Sequence, residues 1–311
     1  MLKRIFFSAM LLCTLAVSVL SGCSVNISLG IDSSLTGEKY PDSEKYRTGG
    51  FTYTADGIKS VEVYWRSGEV EITELECPEL SVRESGGELS DDTAMHHLLD
   101  SGVLKIRFCA SGAKIRINSA DKRLRLEVPK GIDISVHTTS APVMADSLEQ
   151  KNVLISAHSG NTELGSVTAE SVDLSSSSGS IRADGISAQS LRCAASSGDI
   201  KLGNVSAETV VCRTTSGSVG IDSITAETAE IETSSGDVKL TLEKTPTAAV
   251  RTSSGKITAV LPNGGAEVLY TSSAGKLRTN RRYEREGNLY VFGEGECGLT
   301  AETSSGNLEI K

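Results

Sequence analysis

Cysteine and histidine are the side chains that most readily bind metals or act as nucleophiles, and this chain has seven and four of them. His96 and His97 are adjacent, and adjacent residues of a strand point to opposite faces, so they chelate poorly. His137 and His158 fall on separate strand-like segments. The cysteine spacings do not resemble a zinc site. The sequence therefore predicts no catalytic, metal or cofactor-binding residues.

Cys193 and Cys212 are separated by the same number of residues as the equivalent positions of a repeat that runs along the chain. In an in-register parallel ladder their Cα atoms would lie roughly 4.8 Å apart, inside the disulfide window of roughly 4.4–6.8 Å. Stacked side chains run parallel, however, and a disulfide needs the Cβ atoms to converge to about 3.8 Å. We therefore expect two buried free thiols, with a disulfide as the alternative. Cys77 with Cys109 is the other pairing to test.

Cys23 stands in a context that indicates covalent modification. Two basic residues, Lys3 and Arg4, precede a mostly apolar stretch at residues 5–20, which is shorter than the roughly 20 residues of a membrane-spanning helix. The sequence Leu-Ser-Gly-Cys that ends at Cys23 resembles the lipobox of bacterial lipoproteins. The resemblance implies that residues 1–22 are a cleaved signal peptide and that Cys23 carries a diacylglyceryl group and fatty acids such as palmitate. The alternative is an ordinary secretory signal followed by an unmodified cysteine.

Two acyl chains suffice for stable attachment to a membrane. We therefore expect a protein on the extracytoplasmic face of the cell membrane, joined to its lipid by a flexible tether at residues 23–50. Ser24, where many lipoproteins retained at an inner membrane have aspartate, favours the outer membrane in a two-membrane cell.

The net charge limits which partners the chain can have. It is −9 for the whole chain, from 31 basic and 40 acidic residues. Loss of Lys3 and Arg4 with the signal peptide leaves 29 and 40, a net charge of −11. An acidic chain argues against nucleic acid as a partner and against a polybasic contact with anionic lipid. The membrane partner is therefore reached through the lipid on Cys23.

A turn of the form Ser-Ser-Gly recurs with a period typical of solenoids. Its glycines follow one another at a constant interval, as Gly160, Gly179, Gly198, Gly217, Gly236 and Gly255, and Gly275 comes one position later than that interval would place it. We interpret these glycines as corners with positive φ, and the serines before them as bonding back to the local backbone. A flexible Ser/Gly-rich linker is the alternative.

Apolar residues recur at fixed distances after each turn glycine. Two residues after it stand Ile181, Ile200, Val219, Val238 and Ile257. Further apolar columns follow at four, seven, twelve and fourteen residues, and the alternation changes phase twice per repeat. The pattern predicts two or three short strands per turn, stacked in register around a narrow aliphatic core. A core of this kind has no room for large rings, in agreement with an aromatic content of 4%.

The predicted fold is therefore all-β, a parallel β-solenoid with about 19 residues per turn. It spans residues 51–311, with irregular N-terminal turns at 51–158, regular repeats at 159–275, and a C-terminal cap with a strand pair at 276–311.

The repeat resembles a bacterial β-strand-repeat domain of unknown function that is catalogued under the name adhesin. The likeness covers roughly residues 57–311 and rests on the segment 126–131, the Ser-Ser-Gly turns and a Gly-rich end that closes in another Ser-Ser-Gly. It implies a right-handed β-helix at the bacterial surface or envelope, without catalytic residues. Some members of that family accompany envelope-stress regulation, which gives a second functional class.

Arg278, Arg281, Arg282 and Arg285 form the one basic cluster that follows the repeats. It would suit an anionic polymer such as teichoic acid or lipopolysaccharide, although such clusters more often pair with nearby carboxylates. The leading hypothesis is a non-enzymatic surface lipoprotein that binds an envelope polymer or a surface protein. A sensor of envelope stress is the alternative. An enzyme acting on polysaccharides is disfavoured, because one tryptophan and scattered carboxylates offer no aromatic-lined catalytic cleft.

Overall fold

A computed structural model describes residues 39–86, 89–113 and 122–311. The regular part of the fold consists of long strands that each make one turn, called a rung below. These are β12 (Thr162–Ser176), β13 (Ile181–Ala195), β14 (Ile200–Thr214) and β15 (Val219–Thr233). Each pairs in parallel with the next, and each paired residue lies opposite its equivalent in the following repeat, as Ile181 does with Ile200. The predicted all-β solenoid and its period are confirmed.

The apolar columns form the core that the repeat predicts. Ile181, Ile200, Val219, Val238 and Ile257 stack in register and are 0–1% exposed. In each of these rungs the strand is continuous. The two positions at which the apolar alternation changes phase are bends in the strand rather than breaks. Ladder pairing skips a residue at each bend, as at Gly165 and Glu170 of β12. The predicted short strands are therefore three runs of one bent strand.

The turn glycines do not have the positive φ that the sequence analysis expected. They are needed because each glycine from Gly179 onwards lies directly over the carbonyl of the glycine one rung below, and Gly160 lies over that of Ala141. A Cβ on Gly198 or Gly217 would come closer than 3.0 Å to the carbonyl oxygen of Gly179 or Gly198. The turn therefore requires the absence of a side chain, rather than an unusual backbone conformation.

The residue three positions before the glycine makes the bond that was expected of the serines. The Thr233 hydroxyl accepts the Gly236 N–H at 3.1 Å and donates to the carbonyl of Gly217, one rung below, at 3.0 Å. Thr214 and Thr252 repeat this arrangement. These buried threonines fasten successive turns together.

At the N-terminal end, spatial order departs from chain order. The strands there are β1 (Arg47–Thr48), β2 (Phe51–Thr54), β3 (Ser60–Trp65), β4 (Glu69–Leu75), β5 (Glu79–Ser85), β6 (His96–Asp100), β7 (Val103–Arg107), β8 (Arg123–Pro129), β9 (Asp133–Thr138), β10 (Val143–Glu149) and β11 (Asn152–Ala157). The rung β3–β4 lies between β7–β8 and β9–β10, in parallel with both. Outside it, β5 and β6 pair antiparallel with β8 and β7, and β2 and β1 cover those.

Residues 39–50, which the sequence assigned to the tether, pack against this end. Tyr40 is 5% exposed, and its hydroxyl donates to the Cys109 carbonyl. A 3₁₀ turn at Ser43–Lys45 leads into β1, which pairs with β6. The tether prediction is therefore wrong for this segment, because its tyrosines supply apolar surface to the fold. The rest of the predicted tether, the signal peptide and Cys23 lie outside the described residues.

At the C-terminal end, too, one rung is inserted between two others. Its strands are β16 (Val238–Lys244), β17 (Thr247–Thr252), β18 (Ile257–Val260), β19 (Gly265–Ser272), β20 (Leu277–Thr279), β21 (Glu284–Glu286), β22 (Leu289–Gly293), β23 (Cys297–Thr303) and β24 (Leu308–Ile310). The last rung of the chain, β23–β24, lies between β17–β18 and β19–β20. The antiparallel pair β21–β22 then covers β19. The strands on either side of the Gly-rich loop, β22 and β23, thus have β19 between them.

Candidate anion-binding surface

The arginines that follow the repeats all lie at the C-terminal end of the stack. Arg278 is on β20, which pairs with β24 on one side and forms the edge of its sheet. Arg281 and Arg282 follow in the loop to β21, and Arg285 is on β21. We call these four arginines, together with Lys276, the basic end. Residues 276–290 hold these five cations and two carboxylates, a local net charge of +3 in a chain of −9.

The side chains of the basic end face solvent, and two of them also donate to backbone carbonyls, Arg281 to Lys311 at 3.4 Å and Arg285 to Gly287 at 2.8 Å. Lys276, Arg278, Arg282 and Arg285 are exposed and Arg281 is partly exposed. The ion pairs nearest to this end, within the described part of the chain, join Lys256 and Lys311 to Glu309. None of the ion pairs there includes a residue of the basic end. The expectation that these arginines pair with neighbouring carboxylates is therefore wrong for the described residues.

Two arginines on the flanks of the solenoid differ in this respect. Arg213 lies 3.1 Å from Glu230 and 3.5 Å from Glu232. Arg251 lies 3.0 Å from Glu302 and 3.5 Å from Glu230. Register causes this difference, because a parallel ladder stacks side chains from successive rungs beside each other, and opposite charges in one column then meet. Arg278 lies in register with Glu309, but Glu309 pairs with Lys256 and Lys311 instead, and no further rung of the described chain lies above the basic end.

Aromatic rings lie among the arginines of the basic end. The ring of Tyr283 packs on Tyr290 and Phe292, with centroids 5.4 and 5.6 Å apart. The guanidinium of Arg285 lies 5.0 Å from the centroid of Tyr290, and that of Arg281 lies 6.0 Å from Phe292. Cation–π contacts of this kind hold arginines in place without neutralising their charge. The surface can therefore bind anions with partly ordered cations.

A second group of charged residues, at the N-terminal end, is enclosed. The Lys122 ammonium lies 2.6 Å from a carboxylate oxygen of Glu84, and both side chains are at most 4% exposed. It also lies 4.0 Å from the ring centroid of Phe108 and 5.0 Å from that of Trp65. Burial lowers the pKa of Lys122 to about 7, while the adjacent carboxylate favours the charged form. Because these groups satisfy one another inside the fold, they hold that end together and offer no binding surface.

The cysteines and histidines singled out in the sequence are placed as follows. Cys193 and Cys212 stack on adjacent rungs as buried free thiols, and the hydrogen bond that the Cys193 thiol donates to Cys212, together with burial, raises the pKa of Cys193. Cys77 is exposed and Cys109 is buried, and both are free. In the described ranges no three His, Cys, Asp or Glu side chains are grouped to hold a metal ion. No helix of those ranges has the length and hydrophobicity of a membrane span.

Comparison with known families identifies the fold. The family model described as Toastrack DUF4097 matches residues 52–311. The chain belongs to this family. It is a domain of unknown function, so membership in the Toastrack family confirms the architecture predicted from the repeat and assigns no activity. The match begins at Thr52, next to the predicted boundary at residue 51.

Three solved structures resemble the chain. A "putative cell adhesion protein" from Clostridium sporogenes is 13% identical, with 86% of this chain and 99% of that one covered and a TM-score of 0.22. A "putative adhesin" from Bacteroides fragilis is also 13% identical, with 86% and 98% covered and a TM-score of 0.42. A "putative lipid binding protein" from Parabacteroides distasonis is 17% identical, with 86% and 97% covered and a TM-score of 0.49. No curated protein matches. Likeness at this level carries no argument about function.

Sequence reasoning found the arginines of the basic end but missed Tyr283. The sequence did hold a signal, because Tyr283 is an aromatic residue within a basic run in a chain with few aromatics. Its exposure could not be read from the sequence. It depends on how β21 and β22 fold back over β19, and that pairing has no counterpart in the regular repeat.

Proposed function

We propose that this protein is a lipid-anchored, non-enzymatic binding module of the bacterial envelope, and that its basic end binds an anionic envelope polymer. The observation that carries the proposal is the concentration of cations without carboxylate partners at one end of an acidic solenoid. Such exposed cations can bind phosphate or carboxylate groups without first breaking an ion pair. The acidic remainder of the surface would restrict such a ligand to that end.

The position of the two ends supports this arrangement. The lipobox-like sequence at Cys23 precedes Tyr40 by a short segment, and Tyr40 is buried at the N-terminal end of the stack. Roughly ten rung spacings of about 4.8 Å separate that end from the basic end, a distance of roughly 50 Å. An anchor on Cys23 would therefore join the membrane to the N-terminal end of the stack and leave the basic end at the opposite end, free to bind a ligand.

Binding by the basic end is tested with the full-length protein in detergent and poly(glycerol phosphate) as the probe. We expect the double substitution Arg278→Ser and Arg282→Ser to weaken binding by roughly tenfold or more at low salt. The control substitutes Arg182 and Arg192 on the flanks, which lie 3.9 Å from Asp184 and Asp173. Equal weakening by both pairs, or no binding by the unaltered protein, would contradict the proposal.

The anchor is tested separately in cells. We expect the unaltered protein to incorporate a labelled fatty acid and to fractionate with membranes. The Cys23→Ala protein should lose the label and leave the membrane fraction. An unaltered protein that takes up no label would show that the lipid anchor is wrong, whatever the binding measurements give.

The same ligands distinguish binding from catalysis. A non-enzymatic module should bind the polymer and release no shorter chains or reducing ends from a panel of envelope polysaccharides. Release of products that depends on the folded protein would overturn this part of the proposal.

A further inference from the structure

Tyr283 has a large exposed fraction, although the aromatic rings beside it are buried. It is 46% exposed, and the other large apolar side chains of the described residues with comparable exposure are leucines: Leu89, Leu99 and Leu154. The neighbouring rings Tyr290 and Phe292 are 7% and 0% exposed. The Tyr283 ring therefore packs against a buried aromatic pair, at interplanar angles of 63° and 50°, while the rest of the ring meets solvent.

The ring is held in place rather than loosely attached. Its centroid lies 5.4 Å from that of Tyr290 and 5.6 Å from that of Phe292, distances typical of packed aromatic pairs. Both partners belong to β22, which is fixed by antiparallel pairing to β19. A ring that is already oriented loses little conformational entropy when a ligand covers its open side.

Charged groups surround this ring on the chain and in space. Arg281 and Arg282 precede it directly, and Arg285 lies over the Tyr290 ring. A sugar ring has an apolar face of C–H groups that can cover an aromatic ring, and phosphates attached to that sugar would lie within reach of flanking guanidinium groups. A ligand with phosphate alone would use the arginines and leave the Tyr283 ring exposed.

We propose that the basic end recognises a polymer in which sugars and phosphates alternate or are joined, with Tyr283 stacking on the sugar and the arginines binding phosphate. This rests on the proposed function, since it assigns the class of anionic polymer that the same surface takes. A single-stranded nucleic acid offers rings and phosphates too, but the proposed position outside the cytoplasm would present the basic end to envelope polymers instead. Tyr283 is thus a specificity-determining residue, and the arginines supply the general attraction.

The test compares two probes of equal phosphate spacing: poly(glycerol phosphate) without sugars and the same polymer carrying glucosyl substituents. We expect the full-length protein to bind the glycosylated polymer about five- to tenfold more tightly, a typical worth of one aromatic stack. Tyr283→Ser should abolish this preference and leave binding of the plain polymer unchanged. Tyr283→Phe keeps the ring and should keep the preference.

The outcomes separate the two proposals. Equal binding of both polymers by the unaltered protein would overturn the role of sugar while leaving anion binding intact. Binding of neither polymer would overturn the proposed function itself. Tighter binding to phosphatidylglycerol vesicles than to either polymer would show that the ligand is a lipid surface. Tyr283→Phe keeps the ring contacts and should unfold at the same temperature as the unaltered protein, whereas Tyr283→Ser loses them and should unfold at a slightly lower temperature. Cooperative unfolding of both variants above the temperature of the binding measurement excludes misfolding as the cause of a lost preference.

Discussion

The regular rungs and the two ends of this solenoid are built on different rules. In the rungs, each side chain has the same role as its equivalent in the next repeat, and aliphatic residues fill the core. At the ends, aromatic residues such as Trp65 and Phe292 are buried, strands turn antiparallel, and each buried residue has contacts of its own. The repeat therefore provides length, while the ends provide closure and the surface that differs from the rest.

Both ends close the solenoid in the same manner, although their sequences differ. The first rung of the chain and the last rung are each inserted between two others, and an antiparallel strand covers the outermost rung. Open edges of a sheet invite pairing with other chains, and inserted and antiparallel strands reduce that risk. The ends differ in charge, since Lys122 is buried with Glu84 at one end and the arginines at the other end have no such partner.

The largest expected effect is on the core columns of the regular rungs. Ile200 is 0% exposed, and the Ile200→Asp substitution would bury a carboxylate in a column shared by every rung. We expect it to lower the free energy of unfolding by about 4–5 kcal/mol. Lys201→Asp, on the exposed neighbour, should be nearly neutral. Equal melting temperatures for the two variants would contradict the assignment of Ile200 to the core and of Lys201 to the surface.

The turn glycine predicts the next largest effect. A Cβ on Gly217 would collide with the carbonyl of Gly198, so Gly217→Ala should lower the free energy of unfolding by about 3 kcal/mol. Gly220, on the same rung, has open space where its Cβ would be, and Gly220→Ala should be neutral or slightly stabilising. Chemical denaturation of both variants checks the pair. A tolerated Gly217→Ala would show that the rungs can separate to accept a side chain.

A buried histidine at the N-terminal end should make the stability of the protein depend on pH in the acid range. His97 is 4% exposed beside Phe51, and burial lowers its pKa to about 4 from an unfolded value near 6.5. Its stabilising contribution is therefore complete above pH 6.5 and is lost as the pH falls towards 4, by roughly 2–3 kcal/mol. His97→Phe should flatten this part of the curve of stability against pH. An unchanged slope in that variant would show that titration of His97 does not cause the acid sensitivity.

A smaller effect tests how the rungs are fastened together. Thr233→Val removes a hydroxyl that satisfies the Gly236 N–H and the Gly217 carbonyl, and we expect a loss of about 1–2 kcal/mol. Thr228→Val, on the exposed side of the same strand, is the matched control and should change stability by less than about 0.5 kcal/mol. Similar losses in both would mean that side-chain volume, rather than the hydrogen bond, decides the effect.

The sequence predicted the regular rungs well because the same apolar columns recur in every repeat and can be recognised from the residue types alone.

The sequence also carried a signal that was missed. An asparagine or aspartate follows every second turn glycine, and its side chain accepts the backbone N–H of the residue one rung above: Asn161 from Ser180, Asp199 from Ser218, Asp237 from Lys256 and Asn307 from Lys276. In the last of these pairs the acceptor, Asn307, comes later in the chain than the donor, Lys276, because the rungs at this end are not stacked in chain order.

The ends could not be predicted in the same detail, for a physical reason. Insertion of β3–β4 and of β23–β24 depends on pairing between segments far apart in the chain, and each pairing occurs once. The packing of residues 39–50 likewise depends on single contacts, such as that of Tyr40 with Cys109. Of the candidate site, the arginines were visible in the sequence, whereas their lack of ion pairs was not, because Glu309, the carboxylate in register with Arg278, pairs with Lys256 and Lys311.

Hydrogen–deuterium exchange of the full-length protein, with and without poly(glycerol phosphate), tests most directly whether the two regions differ in function. The account predicts slower exchange confined to residues 276–290 and the adjoining strand β24, with unchanged exchange in β13, β14 and β15. Protection spread along those three strands, or protection that avoids the basic end, would contradict it.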